Sequence, residues 1–365
     1  MLLKSLSLTN FRNYSKADFT FSSQTTLILG PNAVGKTNLL EAIYYLASGK
    51  SFRASYDREA IRRGENICHL QGDGNDSKLG LSISFGDNES GNRSQKRFKI
   101  NGVGKRLSDF AGNLRAVYFG PEEILLVTGS PSRRRRFMDS VLIQVDQEYA
   151  RVLSEYEKIL RQRNRLLKLI REGEALREQL GVWDPKLLDL GSVLSKKRQE
   201  MFVDFNARLK DSGLVLLFET RPACRQAGRY PNKKEFRERE IEAGMTLWGP
   251  HREDFRFVRV SVAVPFYGAQ EKAAQSAAAT NDLAPYGSRG EQRLAVLRLK
   301  LAELEFISEQ SGGRPILLLD DIFSELDEGN RNLVLKLFNK QQTIVTATDL
   351  DQIDGENGDF LVIQL

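Results

Sequence analysis

Residues Gly30-Pro31-Asn32-Ala33-Val34-Gly35-Lys36-Thr37 decide how the rest of this 365-residue chain is read. They match G-x-x-x-x-G-K-[ST], and Asn38 follows directly. The short run Leu27-Ile28-Leu29 before them is β-rich, and Leu39, Leu40, Ile43 and Leu46 after them recur at helical spacing. Strand, glycine-rich turn and helix therefore follow one another, which is the context a phosphate loop requires. The glycines let backbone N–H groups face phosphates at a helix N-terminus. Lys36 would place a charge on the β/γ oxygens, and the Thr37 hydroxyl is a Mg²⁺ ligand type. Four fixed positions match a chain of this length by chance roughly one or two times in a hundred, so the flanking elements raise the reading well above coincidence.

Outward from the loop, Leu6, Leu8, Phe11, Phe19 and Phe21 predict strands, with a turn at Asn13-Tyr14. A further strand set is predicted over 67–119, with turns at Gly72-Asp73-Gly74-Asn75 and Asn101-Gly102 and an exit strand at Ala116–Phe119. Between about 137 and 210 the period changes. Tyr149, Leu153, Tyr156, Leu160, Leu167 and Ile170 form an a/d seam interrupted by Arg163. The seam resumes at Leu187, Leu190, Leu194, Met201 and Phe205, opened by Asp184-Pro185 as N-cap and first-turn proline. This predicts an antiparallel helical hairpin of about 22 to 25 residues per helix, a stub of roughly 35 Å. Gly268–Asp282, rich in Ala, Gln and Asn, reads as a connection. Beyond it a helix over 291–310, a strand at Ile316–Leu319, a helix near 329–339 and a strand at Thr343–Ala347 close an α/β sheet. The fold class is α/β.

Two further segments carry chemistry. Asp320-Asp321 ends the apolar run Leu317-Leu318-Leu319. Asp320 suits a water-mediated Mg²⁺ contact and Asp321 the polarising of an attacking water, although the same residues also read as a strand followed by an acidic helix cap. Ser288-Arg289-Gly290-Glu291-Gln292 opens an amphipathic helix, either as an anion site at its N-terminus or as a plain Ser N-cap with Glu291 at the third position.

Composition removes other classes. Lys and Arg number 54 against 48 Asp and Glu, a formal charge of +6. The only cysteines are Cys68 and Cys224 and the only histidines His69 and His251. That spacing rules out zinc ribbons and disulfide frameworks, disfavours Ser-His-Asp triads, and fits a reducing compartment. No apolar run approaches the roughly 18 residues of a membrane span, and the first residues lack a signal-peptide pattern. The expectation is a soluble, cytoplasmic protein with no membrane association.

In order, Gly30–Thr37, Ser288–Gln292, Asp320-Asp321 and Ser324-Glu325-Leu326-Asp327 resemble the Walker A, signature, Walker B and D-loop motifs of ABC-type ATPases. The long gap between the first two, with a helical arm inside it, looks like the SMC-like branch. Within that branch four segments resemble the bacterial RecF family. They are Asn10-Phe11-Arg12-Asn13-Tyr14, Phe119-Gly120-Pro121-Glu122-Glu123, Gly129–Asp139 with Arg133 to Arg136, and Gly249-Pro250-His251-Arg252-Glu253-Asp254. The resemblance implies an ATPase head built from residues 1–120 and 286–365, with a helical lobe over 121–285 carrying the short arm. It implies ATP and Mg²⁺ as cofactors. Lys36, Asp320 and Asp321 would be catalytic, Thr37 and Asp320 would hold the metal, and Gly30 to Asn38 with Arg12 would bind nucleotide. Ser288 and Gly290 would reach the γ-phosphate across an ATP-dependent homodimer.

The activity implied is slow, DNA-dependent ATP hydrolysis in recombinational repair, replication restart and the SOS response. Such proteins act with RecR and RecO to direct RecA to gapped DNA at single-/double-strand junctions. Three positions depart from the ABC pattern: Asp321 stands where most have Glu, no histidine follows the final strand, where the residues are Thr346-Ala347-Thr348-Asp349, and Phe119–Ile124 contains no Q-loop Gln. For DNA contact the candidates are Arg133 to Arg136, then Arg161, Arg163 and Arg165, and Lys96, Arg97, Lys99, Lys105 and Arg106, all read as backbone rather than base contacts. A transporter nucleotide-binding subunit shares the four core motifs but is disfavoured by the arm and the missing Gln. A structural SMC-type protein is disfavoured by an arm of tens rather than hundreds of residues.

Overall fold

The computed structural model describes residues 2–74, 76–88, 91–220, 233–260, 281–323, 328–349 and 360–365. The expected D-loop, 324–327, and most of the 268–282 connection lie outside them. Two compact units emerge: residues 1–128, 139–147 and 288–365 form one, and 129–138 with 148–287 the other.

The first unit holds two sheets. Strands β1 (Leu3–Phe11), β2 (Tyr14–Thr20), β4 (Ile67–Gly74), β5 (Lys78–Asn88), β6 (Gly91–Ile100) and β7 (Val103–Lys105) form an antiparallel sheet in the order β2-β1-β4-β5-β6-β7. Strands β3 (Thr25–Leu29), β8 (Ala116–Phe119), β11 (Ile316–Asp320), β12 (Thr343–Ala347) and β13 (Leu361–Gln364) form a parallel one in the order β13-β3-β12-β11-β8. Each of β3, β8, β11 and β12 is buried along its whole length, the pattern of a sheet covered on both faces. Helix α1 (Lys36–Ser48) packs against strands of both sheets. Eleven of its 13 residues are buried, Lys36, Glu41 and Ser48 among them, so it is covered nearly all round rather than on one face. One expected turn moves: Gly72, Asp73 and Gly74 lie within β4, with Gly72 paired to Leu6 and Leu79, and the chain reverses after them. Gly72 is a strand glycine because Leu3 and Leu46 pack where a Cβ would sit. The turn at Asn101-Gly102 is present, with φ of 50° and 82°.

The other described helices of eight residues or more are α2 (Pro131–Val145), α3 (Gln147–Arg171), α4 (Trp183–Leu209), α5 (Lys233–Ala243), α6 (Arg289–Ser311) and α7 (Glu328–Leu335). In the second unit α3 and α4 run antiparallel in heptad register. Tyr149 meets Arg198, a Cβ on Gly191 would touch Tyr156 at 3.4 Å, and Arg163 meets Asp184. The buried seam therefore includes Ile159 and Gly191 in place of the expected Leu160 and Leu190, and it contains Arg163 and Arg198 as members. Asp184 does not cap α4. It sits inside the first turn and accepts from Arg163 at 2.8 Å and Arg237 at 2.6 Å. Helix α5 joins the tip, where Ile241 packs with Leu167, Ile170 and Leu180. Strands β9 (Leu214–Glu219) and β10 (Asp254–Arg259) pair as a small antiparallel sheet. No described helix is long and apolar enough to cross a membrane.

Candidate nucleotide site at the carboxyl edge of the parallel sheet

The chain leaves β3 through Gly30 and enters α1 at Lys36, so the loop sits where parallel strands end and a helix N-terminus begins. Ala33 at φ 67° and Gly35 at φ 124° bend it. The φ of Gly35 favours glycine, and a Cβ there would also displace the Asn13 amide, 2.5 Å away. The β1–β2 hairpin braces the loop from outside. Asn13 donates to the Val34 carbonyl (2.8 Å), Tyr14 to the Gly35 carbonyl (3.1 Å) and Asn38 to Asn13 (2.8 Å). Burial pushes the Tyr14 hydroxyl up to about 12, which keeps it a donor at any physiological pH. Lys36 Nζ folds back onto the carbonyls of Gly30 (2.5 Å) and Pro31 (3.1 Å).

Arg12, in the left-handed region at φ 53°, forks onto Glu41 of α1 at 2.8 and 2.6 Å. Glu41 is fully buried and also accepts from Ser51 at 2.5 Å. Arg12 is thus tied to the helix that the phosphate loop opens.

Asp320 ends β11, flanked by the register partners β12 and β8. Its carboxylate accepts from Thr346 (2.7 Å) and Tyr118 (3.0 Å), each on a neighbouring strand. Two donors fix its orientation while lone pairs remain for a metal-bound water. Asp321 takes φ 48°, held by its N–H on Thr346 Oγ (3.1 Å) and on the Thr346 carbonyl (3.3 Å). A non-glycine residue in this region is strained, and such strain gathers at functional sites. Burial raises the Asp321 carboxyl above the usual range. Lys36 opposes the shift and Asp320 adds to it. Gly120 lies against this group, where a Cβ would meet Tyr118 Oη at 2.2 Å and Asp320 Cβ at 3.1 Å.

Ser288 caps α6 in a reciprocal box: its hydroxyl accepts from the Glu291 N–H (3.3 Å) and Glu291 accepts from the Ser288 N–H (2.8 Å). Ser288 and Gly290 are exposed, and among the described residues nothing lies within 4 Å of a Cβ placed on Gly290. No hydrogen bond among the described residues joins them to the phosphate loop. Deeper in α6, buried Lys300 pairs with Glu303 (2.7 Å) and with Glu123 (2.8 Å) of the segment after β8. Burial pushes Glu303 up to about 7 against the pull of Lys300. Helix α6 is thereby fastened to the stretch that borders Asp320.

Motif reading missed Tyr118, Thr346 as the partner of Asp320, and Glu41. Parallel register is the signal that finds Thr346, because Asp320 and Thr346 are direct partners.

A family model for the RecF/RecN/SMC N-terminal domain matches residues 2–358. The DNA replication and repair protein RecF of Agathobacter rectalis is 36% identical over 363 residues, covering 96% of this chain and 93% of its own. The chain belongs to the RecF family. Two solved RecF structures share its fold. One, described as the recombination mediator RecF with ATPrS in the RecFOR pathway, has a TM-score of 0.75 at 30% identity and covers 100% of this chain and 96% of that one. The other, RecF with ATP, gives 0.75 at 31%, with 97% and 93% covered. The α/β ATPase-head architecture expected from the motifs is the one found, and the RecF reading stands over the transporter and structural alternatives.

The DNA candidates divide in this RecF-family chain. Arg163 is 1% exposed and bonded to Asp184, Glu240 and Thr246, which removes it from any DNA surface. Arg134 is buried on Asp254 (2.6 and 2.8 Å), Arg135 donates to the Glu253 carbonyl, and Lys96 pairs with Asp57. Arg97, Lys99, Lys105, Arg106, Arg161 and Arg165 are exposed.

Proposed function

We propose that this chain is an ATP-switched DNA-binding ATPase of recombinational repair. The observation that carries the reading is the convergence at one sheet edge of a braced phosphate loop, a doubly anchored Asp320 and a strained Asp321 with a raised carboxyl. ATP would displace the Gly30 and Pro31 carbonyls from Lys36 and present its phosphates to the loop N–H groups from Asn32 to Asn38. The residues fit Mg²⁺. Asp320 supplies an oriented carboxylate and Thr37 a hydroxyl, and Mg²⁺ bound to phosphates needs few protein ligands. Bound there, the ion supplies charge neutralisation of the β- and γ-oxygens.

Asp321 is the base or water-orienting group. Its place beside Asp320 and opposite Lys36 suits a water-orienting role, and its short side chain suits slow turnover. Gly290, crowded by none of the described residues, suits close approach of a γ-phosphate held by a second copy, with Ser288 beside it. ATP shared by two protomers favours the dimer, and hydrolysis releases it. DNA is held through its backbone by the exposed basic residues. The RecFOR pathway named for the two RecF structures supports RecO and RecR as partners, and the family resemblance implies loading of RecA at gapped DNA, in the cytoplasm on the nucleoid.

The test separates binding from turnover. Lys36→Ala should lower DNA-stimulated ATP hydrolysis about 100-fold or more with an unchanged melting temperature. Asp321→Asn should keep ATP binding and the ATP-dependent rise in mass while stopping turnover. Hydrolysis indifferent to DNA, or dimerisation intact in Lys36→Ala, would sink the reading.

A further inference from the structure

The parallel sheet has a second functional-looking edge. A surface cavity of about 280 Å³ opens where β3, β11 and β12 begin, opposite the edge where the phosphate loop leaves β3. Five-residue strands separate the two by about 17 Å. Two adjacent glutamines line it and differ completely. Gln342 uses its whole amide, accepting from the Leu3 N–H and donating to the carbonyls of Leu3 and Ser22, all at 2.7 to 2.8 Å. Gln341 is 9% exposed, yet neither its Nε2 nor its Oε1 has a hydrogen-bond partner among the described residues. A buried amide without partners costs free energy, and a ligand in the cavity would complete this one. Arg314 and Lys340 also line the cavity, both exposed and outside every ion pair found among the described residues, with the Ser23 hydroxyl between the strand starts and Leu2 and Phe338 as apolar wall.

Two cations, an amide N–H and a hydroxyl match a phosphomonoester, which carries close to two negative charges and three strong acceptor oxygens. The Gln341 oxygen sets a further condition, because it requires a donor on the ligand that bare phosphate dianion lacks. We infer that this cavity binds a hydroxyl-bearing phosphomonoester of sugar-phosphate size, with the phosphate on Arg314 and Lys340 and a sugar hydroxyl on Gln341. The same chemistry is offered by a free sugar phosphate and by the 5′-phosphorylated end of a DNA strand.

Calorimetric titration of the full chain with ribose 5-phosphate should give saturable binding about tenfold or more tighter than inorganic phosphate, and ribose alone should not bind. Arg314→Glu and Lys340→Glu should each weaken it about tenfold or more while ATP hydrolysis stays at the unaltered level. Gln341→Leu should erase the preference for ribose 5-phosphate over phosphate without lowering the melting temperature. Lys36→Ala should leave ribose 5-phosphate binding unchanged, which keeps this site distinct from the ATP reading. Displacement by a 5′-phosphorylated oligonucleotide, but not by its unphosphorylated twin, assigns a strand end as the source; no displacement assigns the free sugar phosphate. Absent saturation, equal affinity for phosphate, or binding that survives Arg314→Glu and fails in Lys36→Ala would overturn the inference.

Discussion

The interior of the second unit and the sheet edge of the first use basic side chains in opposite ways. In the second unit charged side chains are buried to saturation: Arg163 spends Nε, Nη1 and Nη2 on Asp184, Glu240 and Thr246, and Arg198 bonds Tyr149, the Pro250 carbonyl and Glu253. At the sheet edge of the first unit the cation is provisional. Lys36 rests on two carbonyls of its own loop, partners that a nucleotide can replace. Saturated charge fixes a shape, whereas charge with interchangeable partners waits for a ligand. A count of basic residues carries no trace of that distinction.

The sharpest way to break the contrast is to remove a saturated cation. Arg163→Met should destabilise the second unit by about 3 to 5 kcal/mol, since it leaves the buried Glu240 carboxylate without its cation. A denaturant midpoint unchanged from the unaltered protein would show that Arg163 is less committed than its geometry indicates. Next in size is pH. His251 accepts from the Tyr156 hydroxyl (2.7 Å) on Nδ1 and donates from Nε2 to the Thr246 carbonyl (3.1 Å). Burial, with Arg252, Arg135 and Arg163 nearby, lowers it to about 4, outweighing the opposite effect of the Thr246 bond. Above pH 6.5 both folded and unfolded states are neutral and stability is full. As pH falls from 6.5 to 4 the unfolded chain takes up a proton that the fold refuses, at a cost reaching about 3 kcal/mol. A His251→Asn variant should lack that slope, and parallel melting curves for the two proteins from pH 7 to 5 would contradict it. The smallest effect is expected on the solvated side of α3. Arg161→Glu with Arg165→Glu should leave stability unchanged and reduce the salt slope of DNA binding by about one for each phosphate that is no longer neutralised. An unaltered slope would clear that face of DNA.

What the sequence made legible follows from how locally each feature is encoded. The strand, loop and helix around Lys36 occupy consecutive residues, and β11, β12 and α6 fall within a residue or two of the periodicity that predicts them. Arg163 is opaque to such reading because its partners stand 21, 77 and 83 residues away. On a seam, an arginine looks like an interruption until those partners are known. Ile159 and Gly191 take the places of Leu160 and Leu190 because the real helix phase follows the Tyr149, Tyr156 and Arg163 heptad. Gly72 to Gly74 read as a turn by composition, yet close packing by Leu3 and Leu46 makes Gly72 a strand residue. Tyr118 and Thr346 carry no motif at all; only strand register brings them to Asp320.

The order of strands in the parallel sheet also sets a timetable. Strand β3, which delivers the phosphate loop, is hydrogen-bonded on its two sides to β12 and β13, and the nearer of these begins 343 − 29 = 314 residues later. At a synthesis rate of about 5 to 20 residues per second, a ribosome leaves this fully buried strand without neighbours for about 15 to 60 s. The second unit, encoded in between, has its partners in hand well before that. The nucleotide site is therefore among the last parts of the molecule to exist, and during that interval β3 is the stretch that most needs shelter from other chains.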